Sequence, residues 1–274
     1  MNVAAKLSGF GAILAAVFAV AFVAGTQSAA RLAPPEAHPT GLGGLSASVD
    51  GYTLTAVEPE IEPGDDQFVE LTLTGPDSRP VSELDEVDGV PLHLVAVRRD
   101  LTGFQHITPT QGVATSWWAV LNLSPGPWHI IVELQPAALG RRISLATTFT
   151  VSGDYRAEPL PPPADQVAVD GLVVRRSGAL TTRVSDRSVF TVTEGDDGRP
   201  VTDLEPVHDA LGHAVIIRPD DVGYRHLHAV PTAGRGPELE FEGGVPARGT
   251  YRVFAEFSRG ERLYVAAYTM SVQR

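Results

Sequence analysis

The sequence predicts an all-β protein, two tandem immunoglobulin-like β-sandwiches after an N-terminal hydrophobic helix. Three observations predict it. An internal repeat recurs without gaps at an offset of 120 residues (Arg79 onto Arg199). Short runs rich in β-branched and aromatic residues are separated by Gly- and Pro-rich turns at the spacing typical of sandwiches. Beyond the N-terminus, no window holds a helical period for three turns.

Taken in order, residues 1–30 read as a signal peptide or a membrane anchor. Leu7 to Gly25 carries no charge, Lys6 precedes it, and Ser28-Ala29-Ala30 supplies the small residues of a cleavage site. A run of this kind also matches the roughly 20 residues that span a bilayer, so a membrane contact through an uncleaved helix is the other expectation. In either form the positive residue stays inside and everything after Arg31 lies outside, so the chain is expected to be exported, either secreted or anchored at the cell membrane. Residues 31–45, rich in Pro and Gly, read as a tether.

The first sandwich is expected over residues 46–152 and the second over 166–274, with GDYRAEPLPPPAD (153–165) as an extended spacer between them. The repeat is clearest where RPVSELDEVDGVPLHLVAVRRDLTGFQH (79–106) meets RPVTDLEPVHDALGHAVIIRPDDVGYRH (199–226), with 11 of 28 positions identical. Candidate strands in the first copy are Tyr52 to Val57, Phe68 to Leu73, Leu92 to Val97, Trp117 to Leu121, His129 to Leu134 and Leu145 to Val151. The second copy offers Leu172 to Arg175, Val189 to Val192, His213 to Arg218, Glu238 to Phe241, Tyr251 to Glu256 and Leu263 to Val272.

Composition then removes whole classes of function. The chain has no Cys, which excludes disulfides, thiolate metal sites and a cysteine nucleophile. A formal net charge of −12 with no basic run argues against nucleic acid as a partner. No Gly-x-Ser-x-Gly elbow, His-Glu-x-x-His, phosphate loop or dinucleotide fingerprint occurs, so no enzymatic activity and no catalytic residue is expected.

Eight His beside zero Cys is the compositional oddity, and five of them recur in one place. His213 opens the apolar run HAVIIR, and in a strand it shares a face with Val215 and Ile217, a row expected to face the core. His226 and His228 share one face while Leu227 takes the other. If the intervening turn closes a hairpin, His213, His226 and His228 converge as a site for copper or zinc, with a carboxylate or water as fourth ligand. The first copy keeps His93 and His106 but has Thr108 where His228 stands, which leaves two imidazoles, a poor site alone. Asp100 and Asp220 are expected to orient a ring or to cap a turn, and Arg98 and Arg218 to end a strand beside an acid. His38, His129 and His208 have no pattern partner and are expected on the surface or in packing roles.

The stretch GRPVTDLEPVHDALGHAVIIRPDDVGYRHLHAV (198–230) resembles a motif of secreted or single-pass membrane proteins of actinobacteria. Such proteins sometimes carry a heavy-metal-binding label and are similar to YtkA-like and copper-resistance periplasmic domains. The resemblance implies an immunoglobulin-like fold and picks out Gly212, His213, Arg218, Asp220, Tyr224, His226 and His228. Two functions follow as expectations. The first is an extracytoplasmic non-enzymatic module that binds copper or zinc in the second domain. The alternative is a structural or protein-interaction module of the cell envelope without metal, its protein partner unspecified by the sequence.

Overall fold

The computed structural model describes residues 41–112, 116–208 and 210–272. The first sandwich is built from β1 (Ser48–Val49), β2 (Tyr52–Ala56), β3 (Glu60–Ile61), β4 (Gly64–Thr74), β5 (Leu84–Asp85), β6 (Leu92–Arg98), β7 (Gln105–Ile107), β8 (Thr110–Gln111), β9 (Ser116–Leu123), β10 (Gly126–Pro136) and β11 (Ile143–Val151). One of its sheets runs β1-β2-β4-β9-β8 and the other β3-β11-β10-β6-β7, with β5 also paired to β10. The second sandwich comprises β12 (Gln166–Val169), β13 (Leu172–Gly178), β14 (Arg187–Glu194), β15 (Gly212–Ile217), β16 (Tyr224–His228), β17 (Glu238–Glu242), β18 (Gly249–Arg259) and β19 (Arg262–Val272). Its sheets run β12-β13-β14-β17 and β16-β15-β18-β19.

Alternation explains the strands and also the way the two sandwiches meet. Along β4 and β9 the residues Val69, Leu71, Leu73, Trp117, Ala119 and Leu121 enter the first core, and their strand neighbours face out. β6 departs from that pattern, because every one of its residues is buried. Leu92, Leu94 and Ala96 enter the first core, whereas Val95 and Val97 enter a separate apolar cluster. β15 does the same, with Ala214 and Ile216 in the second core and Val215 and Ile217 in the shared cluster. A strand buried on both faces needs something on each side, and here the outer face of each sandwich covers that of the other.

This third cluster joins Val95, Val97, Leu101 and Ile131 of the first domain to Val215, Ile217, Val222, Tyr224 and Phe254 of the second. Phe104 stacks on Phe254 with ring centroids 4.0 Å apart and planes 7° from parallel. The face shared by His213, Val215 and Ile217, expected to look into a sandwich core, is therefore the face between the domains.

The connecting segments pack as well. Gly43 pairs with Tyr224 through two backbone hydrogen bonds of 2.8 and 3.0 Å, so the end of the stretch read as a tether lies on the second domain. In the stretch read as a spacer, the Glu158 N–H donates to Asp100, Leu160 packs against the interdomain cluster, and Tyr155 lies under the Arg98 guanidinium at 5.3 Å.

One expectation is corrected. Among the described residues there is no helix, and so none long and apolar enough to cross a membrane. The transmembrane helix was expected at Leu7 to Gly25, and those residues, with His38, lie outside the described ones.

Candidate metal centre between the sandwiches

The register of the strands assembles the site. On β15, His213 stands opposite His228 of β16, and Val215 opposite His226, so His213, His226 and His228 share a face. On β6, Val95 stands opposite His106 of β7. Both faces look into the interdomain space, and the two histidine sets meet there. His93 lies 5.0 Å from His226 and 6.0 Å from His213, centroid to centroid, and His106 lies 4.9 Å from His226. His208, in the loop before β15, joins them at 5.5 Å from His93 and 5.8 Å from His213.

Carboxylates complete the cluster. Glu133 is the cross-strand partner of His93, and Glu256 that of His213. Each bonds to the histidine of the other domain: His106 Nδ1 is 2.5 Å from Glu256 Oε2, and His226 Nδ1 is 3.1 Å from Glu133 Oε2. Within each domain the imidazoles also touch, His93 Nδ1 to His106 Nε2 at 3.2 Å and His213 Nδ1 to His226 Nε2 at 3.1 Å. The two duplicated halves thus exchange carboxylate partners. At the rim, Asp88 is held by Arg142 through bonds of 2.7 and 2.9 Å and lies 3.1 Å from His228 Nε2.

Burial sets the electrostatics. His93 and His213 are 1% and 0% exposed. Desolvation, reinforced by neighbouring imidazoles, pushes His93 down to about 3 and His213 down to about 2, and drives His226 well below its ordinary value. These rings are neutral at neutral pH, the form that ligates a metal. Burial pushes Glu133 up to about 7, and raises the Tyr224 phenol, whose O–H donates to Glu133 at 3.4 Å.

The cluster can coordinate a divalent metal ion. Three overlapping groups each bring three ligand atoms within 4.8 Å of one another: His93, His106 and His226; His213, His226 and His228; and His106, His213 and Glu256.

The remaining residues singled out in the sequence go elsewhere. Asp100 binds Arg98 through bonds of 2.9 and 2.8 Å and also caps Thr102. Arg218 pairs with Asp221, and the Asp220 carbonyl accepts a hydrogen bond of 3.0 Å from Arg99 across the domain boundary. None of these hydrogen bonds reaches an imidazole. Glu133, Glu256, Asp88 and His208 were not legible from the motif, although Glu133 and Glu256 occupy matching places in the duplication, seven residues after Gly126 and Gly249.

A family model, domain of unknown function (DUF8832), matches residues 47–157 and again 167–274. The chain belongs to this family. Its two DUF8832 copies coincide with the two sandwiches, so the histidine cluster lies between family domains and draws on both. No curated protein matches the chain. Among solved structures it is similar to the Escherichia coli adhesin FdeC at 18% identity and a TM-score of 0.28, covering 83% of this chain and 65% of that one. It is also similar to Yersinia pseudotuberculosis InvD at 14% identity and a TM-score of 0.27, covering 82% and 58%. A third similarity is to the fibronectin(III)-like modules of Clostridium thermocellum CbhA, at 11% identity and a TM-score of 0.19, covering 81% and 94%. The chain thus spans less than two thirds of the length of FdeC and of InvD.

Proposed function

We propose that this DUF8832 tandem is an extracytoplasmic, non-enzymatic module of the cell envelope whose two sandwiches hold a divalent transition metal, zinc or copper(II), between them. The observation that carries the reading is the convergence of six imidazoles with Glu133, Glu256 and Asp88 in the interdomain space. Neutral imidazole with carboxylate and no thiolate suits Zn(II) and Cu(II). The apolar leader-like run at Leu7 to Gly25 supports export, and the likeness of residues 198–230 to actinobacterial proteins with a heavy-metal-binding label belongs to the same proposal.

A second reading has a specific observation in its favour. The His–His and His–Glu bonds already pair most of the inward-facing ring nitrogens, and Phe104 and Phe254 close the apolar side. In that case the cluster is a polar weld in a purely structural or protein-interaction module.

Zinc and copper(II) titration of the full chain, after treatment with a chelator, separates them. Metal binding predicts saturable uptake that His226→Ala together with His228→Ala weakens strongly. A structural weld predicts no uptake, with the same double substitution lowering stability alone.

A further inference from the structure

Proton bookkeeping distinguishes the two poles of the cluster. The Val87 carbonyl can only accept, so at 3.0 Å the His93 Nε2–H must donate to it. A neutral His93 then presents a lone pair at Nδ1, and that lone pair accepts the Nε2–H of His106 at 3.2 Å. His106 Nδ1 then faces Glu256 Oε2 at 2.5 Å, a contact bridged by a single proton in the metal-free protein. In the other half, ionised Glu133 accepts from the Nδ1–H of His226 and from the Tyr224 O–H. His226 Nε2 therefore accepts from His213 Nδ1–H, and His213 Nε2 is left bare.

Both relays thus end in the same three residues. His213 Nε2 and Glu256 Oε1 are buried without a hydrogen-bond partner, on side chains 0% and 1% exposed. His106, His213 and Glu256 are also one of the groups whose ligand atoms lie within 4.8 Å of one another. The pseudo-equivalent pole, His93, His226 and Glu133, is closed by protein: the Val87 carbonyl caps His93, and Tyr224 donates to Glu133, whereas Phe104, its counterpart in the repeat, has no hydroxyl to give.

Resting on the metal-binding reading above, we infer that one divalent ion binds per chain, at His106, His213 and Glu256, and that by drawing His106 from one sandwich and the other two ligands from the next it cross-links the domains. Bonds of about 2.0 to 2.1 Å to each ligand make a tetrahedral edge of about 3.3 Å, so the 2.5 Å His106–Glu256 contact opens as the ion replaces the bridging proton.

The test uses the full chain at pH 8, with zinc affinity read by competition against a chromophoric chelator. We expect one equivalent bound in wild type and a loss of at least about 100-fold in affinity for Glu256→Gln, beyond the range seen for residues that only support a ligand. Glu133→Gln keeps an oxygen that accepts from His226, and because Glu133 supports His213 only through His226, its loss should stay within the roughly 10- to 100-fold range of a supporting residue, below that of Glu256→Gln. Should Glu256→Gln fail to fold, His106→Gln read by loss of the tetrahedral cobalt(II) absorption replaces it, with the same expectation. Two equivalents in wild type, or a loss on Glu133→Gln as large as on Glu256→Gln, overturns the assignment. No uptake by wild type overturns the metal reading itself and the assignment with it.

Discussion

Lowering the pH of the metal-free protein from 6.5 to 4.5 perturbs chiefly the buried histidines, since most ordinary carboxylates titrate lower. His93 is held at about 3 and His213 at about 2, first by burial and then by neighbouring imidazoles, and His226 is depressed in the same direction. In the unfolded chain each takes a proton near 6.5, so between 6.5 and 4.5 these three sites bind up to three more protons in the unfolded state than in the folded one, and His129, also lowered by burial, adds in the same direction. A depressed folded value means stability that is complete above 6.5 and lost as the pH falls. Glu133 acts oppositely: burial raises it to about 7, so from 7 down to 4.5 the folded state holds one proton that the unfolded state lacks. The net difference is about two protons, or about 2.7 kcal/mol per pH unit near pH 5.5. From pH 6 to 4.5 that amounts to about 4 kcal/mol, a large part of the roughly 5 to 15 kcal/mol that holds a domain folded. Urea unfolding at pH 7.5, 6, 5 and 4.5 in a chelator, followed by tryptophan fluorescence, measures it. A flat profile over this window, or a protein that gains stability on acidification, refutes the reasoning.

Three other outcomes are expected. Phe254→Ala removes the ring stacked on Phe104 and opens the interdomain cluster, and it should cost about 3 to 5 kcal/mol in urea unfolding. Arg98→Met strands the Asp100 carboxylate, whose side chain is 3% exposed. Burial pushes that group up, but Arg98 and the Glu158 and Thr102 N–H groups hold it at about 2, so a loss of about 3 to 5 kcal/mol is expected at pH 7, with much of it recovered in Arg98→Met/Asp100→Asn. Gly212→Ala places a Cβ 2.6 Å from the Glu256 carbonyl oxygen, so β15 and β18 must part. Thermal unfolding should report a loss of about 1 to 3 kcal/mol, and zinc affinity should fall with it.

The candidate strands of the first copy illustrate what a sequence carries well. Phe68 to Leu73 and Trp117 to Leu121 alternate because one face is dry and the other wet, and both form the long strands expected of them. Leu92 to Val97 was equally visible as a strand, yet its continuous burial was not, since a strand cannot announce which of two apolar faces meets its own core and which meets a neighbouring domain. The histidines divide in the same way. Sharing of a face by His226 and His228 follows from the two-residue period and holds in the structure. His208 gave no periodic signal, because it sits in a loop at a positive φ of 56° and reaches the cluster only through the fold.

By itself, then, the sequence determined the all-β class, the duplication and the concentration of imidazole in one repeated motif, because strand alternation and homologous spacing are local properties of the chain. Only the tertiary structure decided that the two motifs form one centre, that Glu133 and Glu256 cross to the opposite domain, and that His106 shares a pole with His213. The physical reason is that ligand convergence depends on contacts more than 90 residues apart, made when two apolar faces, each unable to stay in water, bury one another and carry their histidines with them.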